Sequence, residues 1–521
     1  MTGMTKESAK ASDKPKPMPE PEAGYKGAYI YLSVVALLSA LPLWDYSTGL
    51  MRLTGLFLVA GLLLAIFYRD MLRYKPNFVR KGRMLLLLSL MIVGTLVVCR
   101  ASEHILLALA KGSYIQSHEA IVYGFPVAAG AMLVMLLFDF HTAIVFSFII
   151  SLLAGLWRAD ASYTIYAFVG SLAASFSMLS CKRRTAILRG GMIVFAANLI
   201  TLLTILFYKD QVFTEAALVA ALFAAISSVV VVAVVSLLLP LLENVFKVTT
   251  DISLLELLDL DHPLMKSLMI NAPGTYHHSI IVGNLVESCA ETVGVNPLMA
   301  RVGAYYHDIG KVKMPEYFIE NVASGVSKHE KLTPHMSAMV LTSHVKEGVD
   351  LAVQHKLPED VVDIIQQHHG NALITYFYDK AKKEANGEGP NEDTYRYPGP
   401  RPQSRTSALI MMADAVEASS RVLTDPTSAR ISALVDKIIN HIFLTGQLEE
   451  CRLTLKDIHE IKKRFTYILT GIMHRRIDYP GFDFNKAGGK RDEGNGKQHA
   501  EEDSAGRQAD RAGLAKGARV S

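Results

Sequence analysis

The sequence predicts an all-α protein, a polytopic transmembrane helical bundle followed by a cytoplasmic all-helical domain. Two observations carry that expectation. Half of the 521 residues are apolar and the mean hydropathy is positive at +0.25, yet the excess is concentrated from Ala28 to Leu242, where runs of roughly bilayer-spanning length, about 20 residues, follow one another. From Asp251 to Pro480 the composition is that of a soluble chain, with apolar residues at helical spacing, Pro and Gly between the helices and no alternating strand pattern.

Residues 1–26, rich in Lys, Pro, Ser and Glu, read as a disordered cytoplasmic tail with no cleavable signal. Residues 27–242 form the transmembrane module. Its eight candidate spans are Ala28 to Trp44, Leu53 to Tyr68, Met84 to Cys99, Ile121 to Phe138, Thr142 to Trp157, Tyr163 to Ser180, Leu188 to Tyr208 and Ala216 to Leu242. Six basic residues between Arg69 and Arg83 and four between Cys181 and Arg189, against basic-poor loops of the other parity, put those two loops, both termini and the soluble domain in the cytoplasm. No span carries a mid-membrane charge, which argues against transport, and Asn198 is expected to join helices by hydrogen bonding.

Residues 243–272 are a juxtamembrane connector. Leu254, Leu255, Leu257, Leu258 and Leu260 form an apolar stripe on a short helix capped by Asp251 or Ser253, a surface for the soluble domain, for a second protomer in a homodimer, or for both. Residues 273–482 are the soluble helical domain, in which Glu384 to Pro402 is expected to be an exposed loop near the site. Residues 483–521 read as a second disordered tail. The charge of +4 lies in membrane-flanking loops and the tail and does not indicate a nucleic-acid polymer as partner, and four widely separated cysteines form neither a disulfide framework nor a zinc motif.

The chemistry-bearing residues gather in the soluble part. His307 and Asp308 are adjacent in AYYHDIGKVKMP, and around them stand His277-His278, His344, His368-His369 and Asp414. Imidazole and carboxylate suit Mn, Fe or Zn and leave positions open for water and substrate. An Asp among histidines can bridge two cations, and two cations about 3.5–4 Å apart stabilise both the attacking and the leaving oxygen of a phosphoryl displacement. A lone His-Asp pair is usually structural. Here every cluster falls in a segment that otherwise reads as buried helix, where histidine is costly unless liganded.

These residues follow the H…HD…H…HH…D pattern of the HD-domain phosphohydrolase superfamily. The surrounding stretches NAPGTYHHSIIVGNL, ARVGAYYHDIGKVKMPEYFIEN, LTSHVKEGVDLA, IIQQHHGNALITYFYDKA and YPGPRPQSRTSALIMMADAVEASSR resemble the seven-transmembrane HD family of the PgpH type, which are bacterial cyclic di-AMP phosphodiesterases. The resemblance runs from about Leu53 to Pro480. It implies a multi-pass protein of the bacterial inner membrane, in contact with lipid, that hydrolyses cyclic di-AMP to linear 5′-pApA by two-metal-activated hydroxide attack. It also implies two Mn or Fe ions, one on His278, His307, Asp308 and Asp414 and the other on Asp308, His344, His368 and His369, with Lys311 neutralising the phosphate. His277 is the alternative to His278, and the family pattern favours the second.

Two departures stand out. The large extracytoplasmic domain that relatives carry after the first span is replaced here by the few residues from Asp45 to Arg52. The His-His-Glu and Gly-Tyr-Pro of the cyclic di-GMP class are absent, His369 being followed by Gly370, Asn371 and Ala372. Cyclic di-GMP hydrolysis and a non-catalytic cyclic dinucleotide receptor are the alternatives, and the complete ligand set argues against the receptor. Tyr305, Tyr306 and the aromatics Tyr376 to Tyr378 are candidates for stacking on a base, although aromatics in a helical domain more often pack in its core.

Overall fold

The computed structural model describes residues 22–45, 49–75, 82–111, 118–179, 181, 183–322, 327–385 and 389–473. The expected tails, 1–26 but for its last five residues and 483–521, lie outside them. Within the described residues the protein is all-α, with one isolated bridge between Leu373 and Arg396.

The N-terminal helices are α1 (Glu22–Ala40), α2 (Leu50–Tyr74), α3 (Gly82–Lys111), α4 (Ala128–Leu137), α5 (Phe140–Arg158), α6 (Ala161–Ser177), α7 (Ala186–Tyr208) and α8 (Glu215–Phe246). Among the described residues six segments, rather than the eight expected, are long and apolar enough to cross a bilayer, the helices at Glu22–Ala40 and Ala161–Ser177 falling short in their apolar length, and the protein is a multi-pass membrane protein. Helix α2 shows how the sequence divides its faces. Leu56, Ala60, Leu64, Phe67 and Met71 form one buried stripe, while Leu58, Leu62 and Ile66 on the other side are exposed.

Three details differ from expectation. The third helix does not stop at Cys99 but continues to Lys111, because the apolar register resumes at Ile105 and the buried Glu103 between them is neutralised by Arg100 and by Arg158, at 2.9 Å. The fourth span is broken. A 3-10 turn over His118–Gly124 precedes α4, with Pro126 in the gap, where it removes a backbone donor. Asn198 packs against Gly170, where an added Cβ would lie 2.3 Å from its Oδ1, but that oxygen has no hydrogen-bond partner.

The C-terminal helices are α9 (Asp251–Leu257), α10 (Pro263–Asn271), α11 (Pro273–Ala290), α12 (Pro297–Tyr306), α13 (Pro334–Gln354), α14 (Glu359–Gln367), α15 (Thr375–Glu384), α16 (Arg405–Ser420), α17 (Ser428–Leu444) and α18 (Leu455–Ile472). The cap of α9 is Thr250 rather than Asp251 or Ser253. Thr250 accepts from the Ser253 amide, and Ser253 reciprocates as the N3 member of a capping box. The apolar stripe of α9 is divided, Ile252 joining the membrane-helix core and Leu254 the core built by α10, α12 and α14. Tyr305 and Tyr306 belong to this second core, and the Tyr306 hydroxyl donates to the Leu257 carbonyl at 2.8 Å.

Ion pairs join the two halves. Arg83 at the start of α3 reaches Glu359 at 2.9 Å, Lys247 after α8 reaches the same carboxylate, and Arg184 reaches Glu256 on α9 at 2.7 Å. Both basic loops therefore contribute a cation that grips the helical domain. Glu359 opens α14, and the other end of α14 delivers His368 and His369. Reversing the charge with Glu359→Lys should speed proteolytic cleavage of the 247–251 joint several-fold in detergent-solubilised protein, and Glu384→Lys, on an exposed helix end, should not; equal rates for the two would show that the pairs carry no coupling.

Candidate metal centre

Five segments converge on one buried point. Helix α11 supplies His278, the end of α12 supplies His307 and Asp308, α13 supplies His344, the end of α14 supplies His368 and His369, and α16 supplies Asp414. One ligand atom from each of His278, His307 and Asp414 forms a group lying within 4.8 Å of one another, and Asp308, His344, His368 and His369 form a second. His277 points away into solvent, as its rotation of about 100° from His278 on the helix dictates.

The local structure explains the convergence. Helix α12 ends at Tyr306, and the chain tightens into a 3-10 turn over Ile309–Lys313. The turn presses onto α13 so closely that a Cβ on Gly310 would lie 1.9 Å from the His344 carbonyl oxygen. Lys311 is consequently not on a continuous helix with His307. It folds back to place Nζ 2.6 Å from Asp308 Oδ2 and 3.0 Å from Glu320.

The Asp308 carboxylate faces both groups. Its Oδ2 lies 3.3 Å from His307 Nε2 and 3.8 Å from His278 Nε2, and its Oδ1 lies 3.3 Å from His344 Nε2 and 3.6 Å from His368 Nε2. Burial alone would raise this carboxyl, but the Lys311 ammonium, followed by His307, outweighs it and holds the group well below the usual carboxylate range. At Asp414 burial is likewise outweighed, by the hydrogen bond and charge of His278, and the carboxyl is lowered.

Three histidines are set in one tautomer. His307 Nδ1 donates to the Ala304 carbonyl at 2.7 Å, His344 Nδ1 to Leu341 at 2.5 Å and His368 Nδ1 to Ile365 at 2.8 Å. Each therefore turns an unprotonated Nε2 inward. Two of those lone pairs, on His344 and His368, approach to 3.3 Å, while His307 Nε2 and both Asp308 oxygens are buried with no aligned hydrogen bond, the Lys311 contact being an ion pair. Converging acceptors without donors are the arrangement a cation resolves. The donor set, five imidazoles and two carboxylates, fits borderline divalent metals.

Burial depresses His344 to about 3, which keeps it a neutral ligand. His278 is different. Burial would lower it, but the Asp414 and Glu417 carboxylates raise it to about 9. Its Nδ1 lies 2.5 Å from Glu417 Oε2 and its Nε2 3.0 Å from Asp414 Oδ1. Glu417 is held in turn by Arg421 at 2.7 Å.

Several neighbours were not singled out in the sequence. Glu417 lies one turn after Asp414 on α16 and Arg421 is the residue that closes that helix, a spacing that could have revealed them. Tyr397 stacks on His369 at 4.1 Å between ring centroids; it comes from the stretch expected to be an exposed loop, which instead also buries Tyr395, so part of it forms a wall of the site. His262 caps α10, and His329 contacts the Tyr317 carbonyl at 2.9 Å, both structural roles.

Two predictions follow from this geometry. Gly310→Ala should cost roughly 1–3 kcal/mol or more, since backbone rather than a flexible side chain must move, and should lower both the melting temperature and the bound metal; an unchanged melting temperature would contradict it. Glu417→Ala, which frees His278 Nδ1, should weaken metal affinity by about 10- to 100-fold, read by competition with a metallochromic chelator.

Comparison with known proteins accords with the two halves. A family model described as "7TM receptor with intracellular HD hydrolase" matches residues 50–250, and the HD domain model matches residues 275–419. The cyclic-di-AMP phosphodiesterase PgpH of Bacillus subtilis is 34% identical over 87% of this chain and 62% of its own length. PgpH of Listeria monocytogenes is 37% identical over 70% of this chain and 51% of its own. The chain thus spans between half and three-fifths of these relatives. The crystal structure of the L. monocytogenes PgpH HD domain in complex with cyclic-di-AMP is 44% identical, covering 41% of this chain and 98% of that one, at a TM-score of 0.40. The two models match in the order in which the two halves stand in the chain, and over both halves the chain is similar to the PgpH proteins.

Proposed function

We propose that the protein is a membrane-anchored, metal-dependent phosphodiesterase that opens cyclic di-AMP to linear 5′-pApA. The observation that carries this reading is Asp308, whose two oxygens face the two separate ligand groups, as a bridge between paired cations must. Relatives of similar sequence over both halves are cyclic-di-AMP phosphodiesterases by name. His278, His307, Asp308 and Asp414 would hold one ion and Asp308, His344, His368 and His369 the other, Mn or Fe as the family resemblance implies, both of which these donors suit. When bound, such a pair supplies an activated water and stabilises the entering and leaving oxygens.

The chain's own groups do the remaining work. Lys311, charged at neutral pH because the Asp308 and Glu320 carboxylates more than offset its burial, offers an ammonium to a phosphate oxygen. Glu417 orients His278, and Tyr397 fixes the His369 ring. The proposal extends to an inner-membrane location with the HD domain and both termini in the cytoplasm, to the division at residues 27–242, 243–272 and 273–482, to lipid contact by the exposed apolar helix faces, and to a homodimer.

The test is hydrolysis of cyclic di-AMP and cyclic di-GMP, side by side, by the full chain in detergent loaded with Mn, with product analysis and elemental metal content. Selective cleavage of cyclic di-AMP to 5′-pApA, two ions per chain, and loss of about a thousandfold or more in rate with Asp308→Ala are expected. Preference for cyclic di-GMP, or release of inorganic phosphate, would overturn the substrate assignment.

A further inference from the structure

A cavity of about 360 Å³ opens from the metal centre to solvent. His278, Asp414 and Lys311 form its inner end, and Arg421, Ile319 and Val422 its outer end. Metal chemistry on a simple phosphodiester has no use for that outer end, yet three of its features are built. Arg421 is anchored through Nε and Nη2 to one oxygen of the buried Glu417, at 2.8 and 2.7 Å. That leaves three of the five guanidinium N–H groups on a side chain that is still 39% exposed and lines the cavity. Ile319 and Val422, large aliphatic side chains from two different segments, are 82% and 80% exposed at the mouth.

Charge gives the cavity a direction. Of its cations, Lys311 is held between Asp308 and Glu320 and His278 between Asp414 and Glu417, at the inner end. Arg421 is the lining cation that keeps unshared donors, and it stands at the end away from Asp308. A cyclic dinucleotide has two phosphodiester groups in one ring and two flat bases. With one phosphate at the metal centre, the other must lie farther along the cavity, and a base must lie at or near its mouth.

Taking cyclic dinucleotide hydrolysis as the reaction, we propose that this cavity is the subsite for the non-reacting half of the substrate. Arg421 binds the phosphate that is not cleaved, using the planar fork that suits phosphate better than an ammonium does. Ile319 and Val422 close on the faces of the purine attached to it. The subsite makes the centre selective for a dinucleotide over a diester with a single phosphate, and Arg421 is its specificity-determining residue.

The experiment uses the full chain in detergent, loaded with Mn, and two substrates, cyclic di-AMP and bis(p-nitrophenyl) phosphate, which has one phosphate and no purine. Arg421→Gln should shift the ratio of kcat/KM for the two by about tenfold to a hundredfold against cyclic di-AMP, the range of a lost charge-assisted hydrogen bond, chiefly through KM. Arg421→Lys should fall between. Ile319→Ser and Val422→Ser, which leave Glu417 and His278 untouched, should each raise KM for cyclic di-AMP by about threefold to tenfold. Metal content is measured for every variant. A parallel fall on both substrates with loss of metal would show that Arg421 acts only through Glu417, and an unchanged ratio would show that the second phosphate does not reach it; either result overturns the proposal. If the unaltered protein cleaves only bis(p-nitrophenyl) phosphate, the cyclic dinucleotide reading fails and the subsite falls with it, whereas cleavage of both with an unchanged ratio in the variants removes the subsite alone.

Discussion

A buried carboxylate with no aligned hydrogen-bond donor is the constraint around which the soluble half is arranged. Asp308 is 1% exposed and keeps its charge because the Lys311 ammonium beside it stabilises it. Removing one partner from a buried charged group ordinarily costs several kcal/mol, about 3–5, so the surroundings are fixed closely. The 3-10 turn after His307 aims Asp308 inward, the absent side chain of Gly310 lets that turn rest on α13, and Glu320 completes the neutralisation of Lys311. Each device has a geometric rather than a catalytic reason. Together they present both oxygens of one carboxylate to two sets of imidazoles.

Much of this was legible in the residues. The candidate positions stood out because histidine is rare inside apolar helices, and these side chains meet in the folded chain in two groups, with Asp308 standing in the one formed with His344, His368 and His369. The helical class followed from periodicity, and six of the eight expected spans from length and hydropathy. What escaped is of another kind. Glu417, on a helix buried on nearly every side, and Arg421, which closes that helix, carry no distinguishing signal until His278 is known to lie opposite. Tyr397 lies in a Gly- and Pro-rich stretch that reads as loop, and its contact with His369 spans residues with no local signal. The extension of α3 past Arg100 depends on Glu103 finding Arg158 on another helix, a tertiary pairing that hydropathy cannot register. Capping by Thr250 rather than Asp251 turned on a single residue at a boundary, where side-chain hydrogen bonding decides.

The joint between the halves is polar at its rim and apolar within. Ile252 and Leu254, two residues apart on one short helix, belong to different cores, so α9 cannot rotate without disturbing both. Glu359 receives cations from the beginning of one membrane helix and the end of another. Exposed pairs of this kind contribute little energy singly, about 0–1 kcal/mol, but they fix orientation. Helix α14 thereby has one end set by the membrane helices and the other by the ligand cluster.

The hydrogen bonds from Nδ1 of His307 and His368 lead to carbonyls three residues earlier, at the last turns of α12 and α14. Those carbonyls belong to the set that a helix leaves without partners where it stops. The same imidazoles that would grip an ion are therefore the terminators of the helices that carry them. Substituting either one disturbs the architecture as well as the chemistry, so an inactive protein obtained that way says little about catalysis. Asp308 makes no such backbone bond, and the centre can be disarmed there with the helix ends still closed.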